Sequence, residues 1–141
     1  MGTLLNLGAE KANAELLLFL VPGVRLPEDG LTELKRNLDL LPQMRAGNFH
    51  FKFGSEGFLT NFVQSQLRGW RYSGKYFLQS GIFVYRPVFD ALEGFPTYVP
   101  HPGYQFAQKL EDYGPTTCLP EEFKIVAPTP NWQTLLSWLV L

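Results

Sequence analysis

The chain has 141 residues, 45% of them hydrophobic, 15% aromatic and 18% charged, with a formal net charge of −1. That composition supports one sizeable core and excludes a disordered chain, while the near-neutral balance excludes a global field drawing nucleic acid or membrane. A single cysteine, Cys118, excludes an internal disulfide and a multi-cysteine zinc site.

At the N-terminal end, Thr3–Leu7 and Leu16–Val21 are apolar and the polar stretch Gly8–Glu15 separates them. Either a loop joins two strands there, or Ala9–Leu20 forms one helix. The run Leu16–Val21 has no polar face and ends at Pro22-Gly23, which favours a strand. It is too short to cross a bilayer. It also follows Glu10 and Glu15 rather than a basic segment, so no export signal is expected. A soluble protein of the cytoplasm, or of another reducing compartment, is the expectation.

Leu31, Leu34, Leu38 and Leu41 recur at helical spacing behind Glu28 and Asp29, and Pro42 closes that helix. Asn48–Phe53 alternates strictly and reads as a strand, with Phe49, Phe51 and Phe53 on one face and His50 and Lys52 on the other. Ser55 is placed to cap the next helix, whose inner face carries Phe58, Leu59, Phe62, Val63 and Leu67, and which ends at Arg68-Gly69. Lys75–Gln79 and Ile82–Arg86 flank Ser80-Gly81 as a hairpin would. That pairing sets Lys75 opposite Arg86, and two like charges there call for an anionic partner.

Prolines at 87, 96, 100 and 102 then mark an extended, aromatic excursion at about 87–105, with one helical turn at Val88–Leu92 and a short helix at Tyr104–Tyr113. A strand over 122–127 follows. Asn131 caps a last helix carrying Trp132, Leu135, Leu136 and Leu139. The expected fold is a single α+β domain over residues 1–141, with a mainly antiparallel sheet from residues 48–53, 75–79, 82–86 and 122–127 and two or three short helices packed on it.

Charge is unevenly placed. Residues 34–86 carry eight basic and two acidic side chains, against two and five in 1–33 and two and six in 87–141. No nucleotide-binding glycine motif, nucleophile elbow or zinc-binding His-Glu-x-x-His occurs. No catalytic, cofactor-binding or metal-binding residue is therefore expected, and no cofactor. Cys118 with a histidine and Asp112 makes a thiol triad only on paper.

The basic, aromatic segment 48–86 is the one candidate site. His50, Lys52, Trp70, Arg71, Tyr72, Lys75, Tyr76, Tyr85 and Arg86 have the residue types that contact a protein partner or stack and neutralise a single-stranded nucleic acid. Tyr98, Tyr104 and Trp138 are candidate partner-docking aromatics. The leading expectation is a non-enzymatic structural or scaffolding subunit of a larger assembly, such as a viral or other particle. It would form an oligomer or hetero-complex through other protein subunits. The alternative is a single-stranded nucleic-acid-binding module.

Overall fold

The computed structural model describes residues 1–131 together with Gln133, Thr134 and Ser137. Helix α1 (Gly2–Lys11) leads to β1 (Leu16–Phe19), α2 (Gly30–Leu40), β2 (Ala46–Asn48), β3 (Phe51–Phe53) and α3 (Phe58–Arg71). Then come β4 (Ile82–Tyr85), α4 (Arg86–Ala91), α5 (Pro102–Tyr113), β5 (Thr117–Cys118) and β6 (Ile125–Ala127), with 3-10 turns at Leu78–Ser80 and Glu121–Phe123. The class is α+β, as expected. The sheet is mixed rather than mainly antiparallel.

Two apolar strands form the centre. In β1, Leu17 and Phe19 face α1, α4 and α5, while Leu16 and Leu18 face α2. In β4, Ile82 and Val84 take the first side and Phe83 and Tyr85 the second. Both strands are apolar on both faces because helices cover both, the pattern of a buried strand. The sheet order is β1-β4-β2-β5, with β4 antiparallel to its neighbours and β2 parallel to β5. Consequently β1, β2 and β5 all point the same way. Their ends form one row, Phe19 beside Ile82, Ile82 beside Asn48, and Asn48 beside Cys118. Gly47 permits the closest approach in this sheet, because a Cβ there would stand 1.9 Å from the Thr117 carbonyl oxygen.

Several expectations change. The N-terminal segment is a helix over Gly2–Lys11, neither a strand and loop nor a helix reaching Leu20. Its Asn6 amide explains the docking: Nδ2 donates to the Phe95 carbonyl at 2.9 Å and Oδ1 accepts from the Phe95 amide at 2.8 Å. The stretch 48–53 is two strands in different sheets, since β3 pairs in parallel with β6. The chain turns at Phe49-His50, where the Phe49 amide donates to the Ser80 carbonyl and the His50 carbonyl accepts from Ile125.

The hairpin at Ser80-Gly81 does not form. Ser80 Oγ donates to the Phe77 carbonyl at 2.7 Å and closes a 3-10 turn, leaving β4 to pair with β1 and β2. Arg86 therefore does not face Lys75. Its guanidinium donates to the carbonyls of Ala9, Ala12 and Ala14, so its anionic partner is the negative end of α1.

Helix α2 buries Leu34 and Leu38, whereas Leu31 is exposed. Helix α3 is capped at Gly57, not Ser55, and runs on to Arg71. Its inner face is Leu59, Val63, Leu67 and Trp70; Phe58 and Phe62 point to solvent. The excursion at 87–105 is not extended. Val88, Phe89 and Phe95 are buried in the protein's own core, and α5 begins at Pro102. The expected strand at 122–127 shortens to β6 behind a 3-10 turn. Of the expected C-terminal helix, Gln133, Thr134 and Ser137 are helical and the expected cap forms, Asn131 Oδ1 accepting from the Thr134 amide at 2.9 Å, while Trp132, Leu135, Leu136, Trp138 and Leu139 lie outside the described residues.

Candidate functional site at the strand ends

In sheets with parallel strands and helices on both faces, ligands collect beyond the carboxyl ends of the strands. Two openings lie at that edge here. One, of about 300 Å³, sits beyond β2 and β5 and is lined by His50, Arg68, Arg71, Tyr72, Thr116 and Cys118. It narrows into a throat of about 20 Å³ that shares His50, Arg68, Arg71 and Cys118 and is closed by Tyr76, Phe77 and Ser80. The other opening, of about 210 Å³, lies beyond β1 at the start of α5. Val21, Leu78, Gln79, His101 and Tyr104 line it, and Phe77 is a wall common to both.

Residues from distant elements hold the basic opening. Arg71 comes from the last turn of α3; its Nε donates to Asn48 Oδ1 at 2.7 Å and its Nη2 to Thr116 Oγ1 at 3.1 Å. The same guanidinium lies over the Tyr76 ring, 4.5 Å from the centroid, and 3.6 Å from Glu111. Asn48, almost fully buried, passes the network on by donating Nδ2 to Ser80 Oγ at 3.0 Å. Arg71 is thus a fixed strut with few donors left over.

Arg68, one turn earlier on the same face, is half exposed and reaches Glu121 at 3.7 Å. His50 Nδ1 lies 3.2 Å from the other oxygen of that carboxylate, and Lys124 Nζ approaches at 4.0 Å.

The buried groups behind this opening are not ionised. Burial raises the Tyr76 pKa well above the phenol range, and its hydroxyl, almost fully buried, has no hydrogen-bond partner. The Thr116 hydroxyl, which donates to Glu111, offsets a small part of that rise. Burial also pushes the Cys118 thiol up to about 11, against a smaller opposing pull from Arg71. Cys118 is therefore a thiol at neutral pH and a poor nucleophile, which argues against the triad.

In the second opening His101 takes a left-handed backbone conformation (φ 50°, ψ 61°) immediately before α5, a strained setting for a residue with a Cβ. Partial burial lowers its pKa, so the imidazole is neutral at pH 7. Its ring stands edge-on to Phe77 with 5.9 Å between centroids, and Tyr104 stacks on Phe77 at 5.1 Å.

Of the residues singled out from sequence, His50, Arg71, Tyr72 and Tyr76 meet in the basic opening. Lys52 and Lys75 are exposed elsewhere, Trp70 is packed behind α3, and Tyr85 lies at the opposite end of its strand. Arg86 is occupied with α1. Tyr98 is fully exposed, and Tyr104 lines the aromatic opening. Arg68, Thr116, Glu121 and Lys124 were not singled out. The spacing of Arg68 and Arg71 on one helical face was the available signal for the first; nothing local marked the others.

No family model matches the sequence, and no curated protein matches it. Seven solved chains match the fold. One is the mannosyltransferase PcManGT from Pyrobaculum calidifontis, solved in complex with GDP-Man and Mn2+, with a TM-score of 0.65 at 19% identity over 98% of this chain. The match takes in 39% of the mannosyltransferase, so the present chain spans about two-fifths of that protein's length.

This likeness corrects the expectation of a non-enzymatic structural subunit and the exclusion of an enzyme. The scaffold expectation rested on absent catalytic motifs, on an aromatic excursion leaving the core and on Trp138 standing off the stripe of the last helix. The excursion packs on its own core. In such folds catalytic groups come from the ends of separate strands, so no contiguous motif need mark them.

Whether these residues suit an ion such as the manganese bound by that protein can be tested on the donors themselves. Among the described residues no three His, Cys, Asp or Glu side chains stand close enough to share one ion. The segment leaving β1 at this edge, Leu20–Gly23, has no carboxylate. The described residues do not offer that ion a site of three protein ligands. Among the described residues, no helix is long and apolar enough to cross a membrane.

Proposed function

We propose that this chain is a glycosyltransferase-type unit that holds a sugar donor across its strand ends, with the donor's phosphates in the basic opening and the sugar beside Phe77. The observation carrying this reading is the placement of Arg68, Arg71 and His50 at the ligand-binding edge of a fold shared with an enzyme that binds GDP-Man. Cationic groups there stabilise the negative charge that develops on a departing phosphate.

The aromatic opening suits the other half of the reaction. An acceptor hydroxyl oxygen bonds to the anomeric carbon as the bond from that carbon to the phosphate oxygen breaks. The phosphate leaves with the electron pair, and the hydroxyl proton needs a base. His101 is neutral and faces this opening, so its imidazole can take that proton. Phe77 and Tyr104 offer flat apolar faces to the C–H side of a sugar ring.

The test uses the full chain with GDP-mannose and with uridine diphosphate sugars. Saturable heat on titration, and release of nucleoside diphosphate on incubation with sugar or lipid acceptors, are expected with at least one donor. Neither binding nor release with any of these donors would overturn the reading.

A further inference from the structure

Around Glu121 the arrangement is that of an anion site filled by the protein's own carboxylate. Two basic side chains reach it from distant segments, His50 beyond β2 and Arg68 on α3, and Lys124 stands beside it on the same turn. An exposed pair of this kind contributes little by itself, so the carboxylate is held mainly by the two long-range contacts. The hold is weak all the same. Glu121 keeps 48% of its side-chain surface exposed, and two of its three ionic contacts are 3.7 Å or longer. A phosphate oxygen carries at least as much charge, makes short charge-assisted hydrogen bonds and can accept from two arginine donors at once.

A second observation points inward from the same place. His50 and Arg68 also line the opening and its throat, and Tyr76, whose buried hydroxyl has no hydrogen-bond partner, lines the throat with them. Arg71, held by Asn48, Thr116 and Glu111, keeps the side wall positive without needing to move.

We infer that the Glu121 carboxylate is an internal stand-in for a phosphate or diphosphate group, which binds between His50, Arg68 and Lys124 by displacing it and needs no divalent metal to do so. The inference rests on the donor reading for its biological meaning, because this is the opening assigned there to the leaving phosphates. In physical terms the site needs only an anion. Displacement frees the 3-10 turn at Glu121–Phe123 from its tie to α3, so occupancy of the site is coupled to the segment entering β6.

Inorganic pyrophosphate is the probe, titrated calorimetrically into the full chain with EDTA present. Saturable binding is expected for the wild type. Glu121→Gln removes the competing charge and should tighten binding by about fivefold or more. Arg68→Ala should weaken it by a similar factor, and added salt should weaken it in all three proteins. Both positions are half exposed, and unchanged melting temperatures verify that the variants fold.

Unaltered affinity in Glu121→Gln, or binding that appears only with added manganese, would overturn the inference. If GDP-mannose binds while pyrophosphate ignores Glu121, this inference fails and the donor reading stands. If pyrophosphate obeys Glu121 while no sugar nucleotide binds, the reverse holds.

Discussion

Arg71 on α3 and Asn48 at the end of β2 are joined by a 2.7 Å hydrogen bond from Nε to Oδ1, and this link sets the floor of the basic opening. From Asn48 the network runs to Ser80 and on to the Phe77 carbonyl, tying α3, the central sheet and the wall between the two openings into one unit. Asn48→Ala removes an acceptor from a half-buried guanidinium and a donor from a buried hydroxyl. The Ser80 hydroxyl keeps its bond to the Phe77 carbonyl, so the main cost is the unpaired Arg71 Nε, and a loss of roughly 1–3 kcal/mol is expected in urea unfolding. A loss under about 0.5 kcal/mol would mean that the network contributes shape and little energy.

Arg86 has a comparable task on the opposite side of the sheet. Its guanidinium donates to the Ala9 carbonyl in the last turn of α1 and to those of Ala12 and Ala14 just beyond it, the nearest at 2.8 Å. A lysine keeps the charge but cannot present donors in a planar fork. Arg86→Lys is expected to cost about 1–2 kcal/mol and to speed amide exchange in α1 relative to α5. Equal protection of the two helices in the variant would show that Asn6 alone suffices to dock α1.

The elements that periodicity revealed are those whose burial is decided locally. Leu34 and Leu38 of α2 and Leu59, Val63 and Leu67 of α3 follow from 3.6-residue spacing, which over-extended both stripes to Leu31, Phe58 and Phe62, and the apolar run of β1 follows from its lack of a polar face. The break between β2 and β3 could not be read, because the alternation through Phe49, Phe51 and Phe53 continues unbroken. The chain is turned there by Ser80 and Ile125, partners far away in sequence. Ser80-Gly81 carried hairpin chemistry, yet the Ser80 hydroxyl is used inside its own turn.

The candidate site shows the same division. His50, Arg71, Tyr72 and Tyr76 have telling residue types and lie close in sequence. Thr116 completes the opening from far along the chain, and Glu121 and Lys124 stand beside it against His50 and Arg68; their types alone look like ordinary surface. The charge imbalance of the middle segment was legible, and one of the acidic groups that answer it is Glu121.

Gly47 is a sharper test of the sheet's parallel half. Any Cβ at this position collides with the Thr117 carbonyl and with the Phe83 ring tip at 2.8 Å. Gly47→Ala is expected to lie at or beyond the upper end of the roughly 1–3 kcal/mol range for overpacking, and to separate β5 from β2. Because β5 carries Cys118 and follows Thr116, the opening should be lost with it. Wild-type stability in this variant would mean that β5 can shift outward at no cost.

Cys118 reports on the burial of the opening without any ligand. With its thiol pushed up to about 11, the thiolate fraction at pH 7.5 is about 100-fold below that of a thiol at 9. Iodoacetamide should therefore alkylate the native protein about 100-fold more slowly than the urea-unfolded chain, with the rate climbing through pH 10. The sign for stability follows. A raised folded-state pKa adds stability that is complete below pH 9 and is lost as pH rises towards 11. Native-state labelling as fast as that of the unfolded chain would show that the sulfur is open to solvent and that the opening is not closed behind it.

His101 decides whether the aromatic opening does chemistry or only binds. Its strained left-handed backbone is maintained at the start of α5, and burial lowers its pKa below 6.5, so the base form persists into mildly acidic solution. If it takes the acceptor's proton, turnover should fall only below pH 6.5, where the imidazole becomes charged. His101→Ala should lower the rate of nucleoside diphosphate release by about 10²–10⁴-fold and leave donor affinity within about twofold. His101→Gly separates strain from chemistry. It relieves the left-handed conformation, so it should melt at or above the wild-type temperature while being as slow as the alanine variant. A glycine variant that keeps wild-type turnover would remove His101 from the reaction and leave it as a strained lining residue beside Phe77.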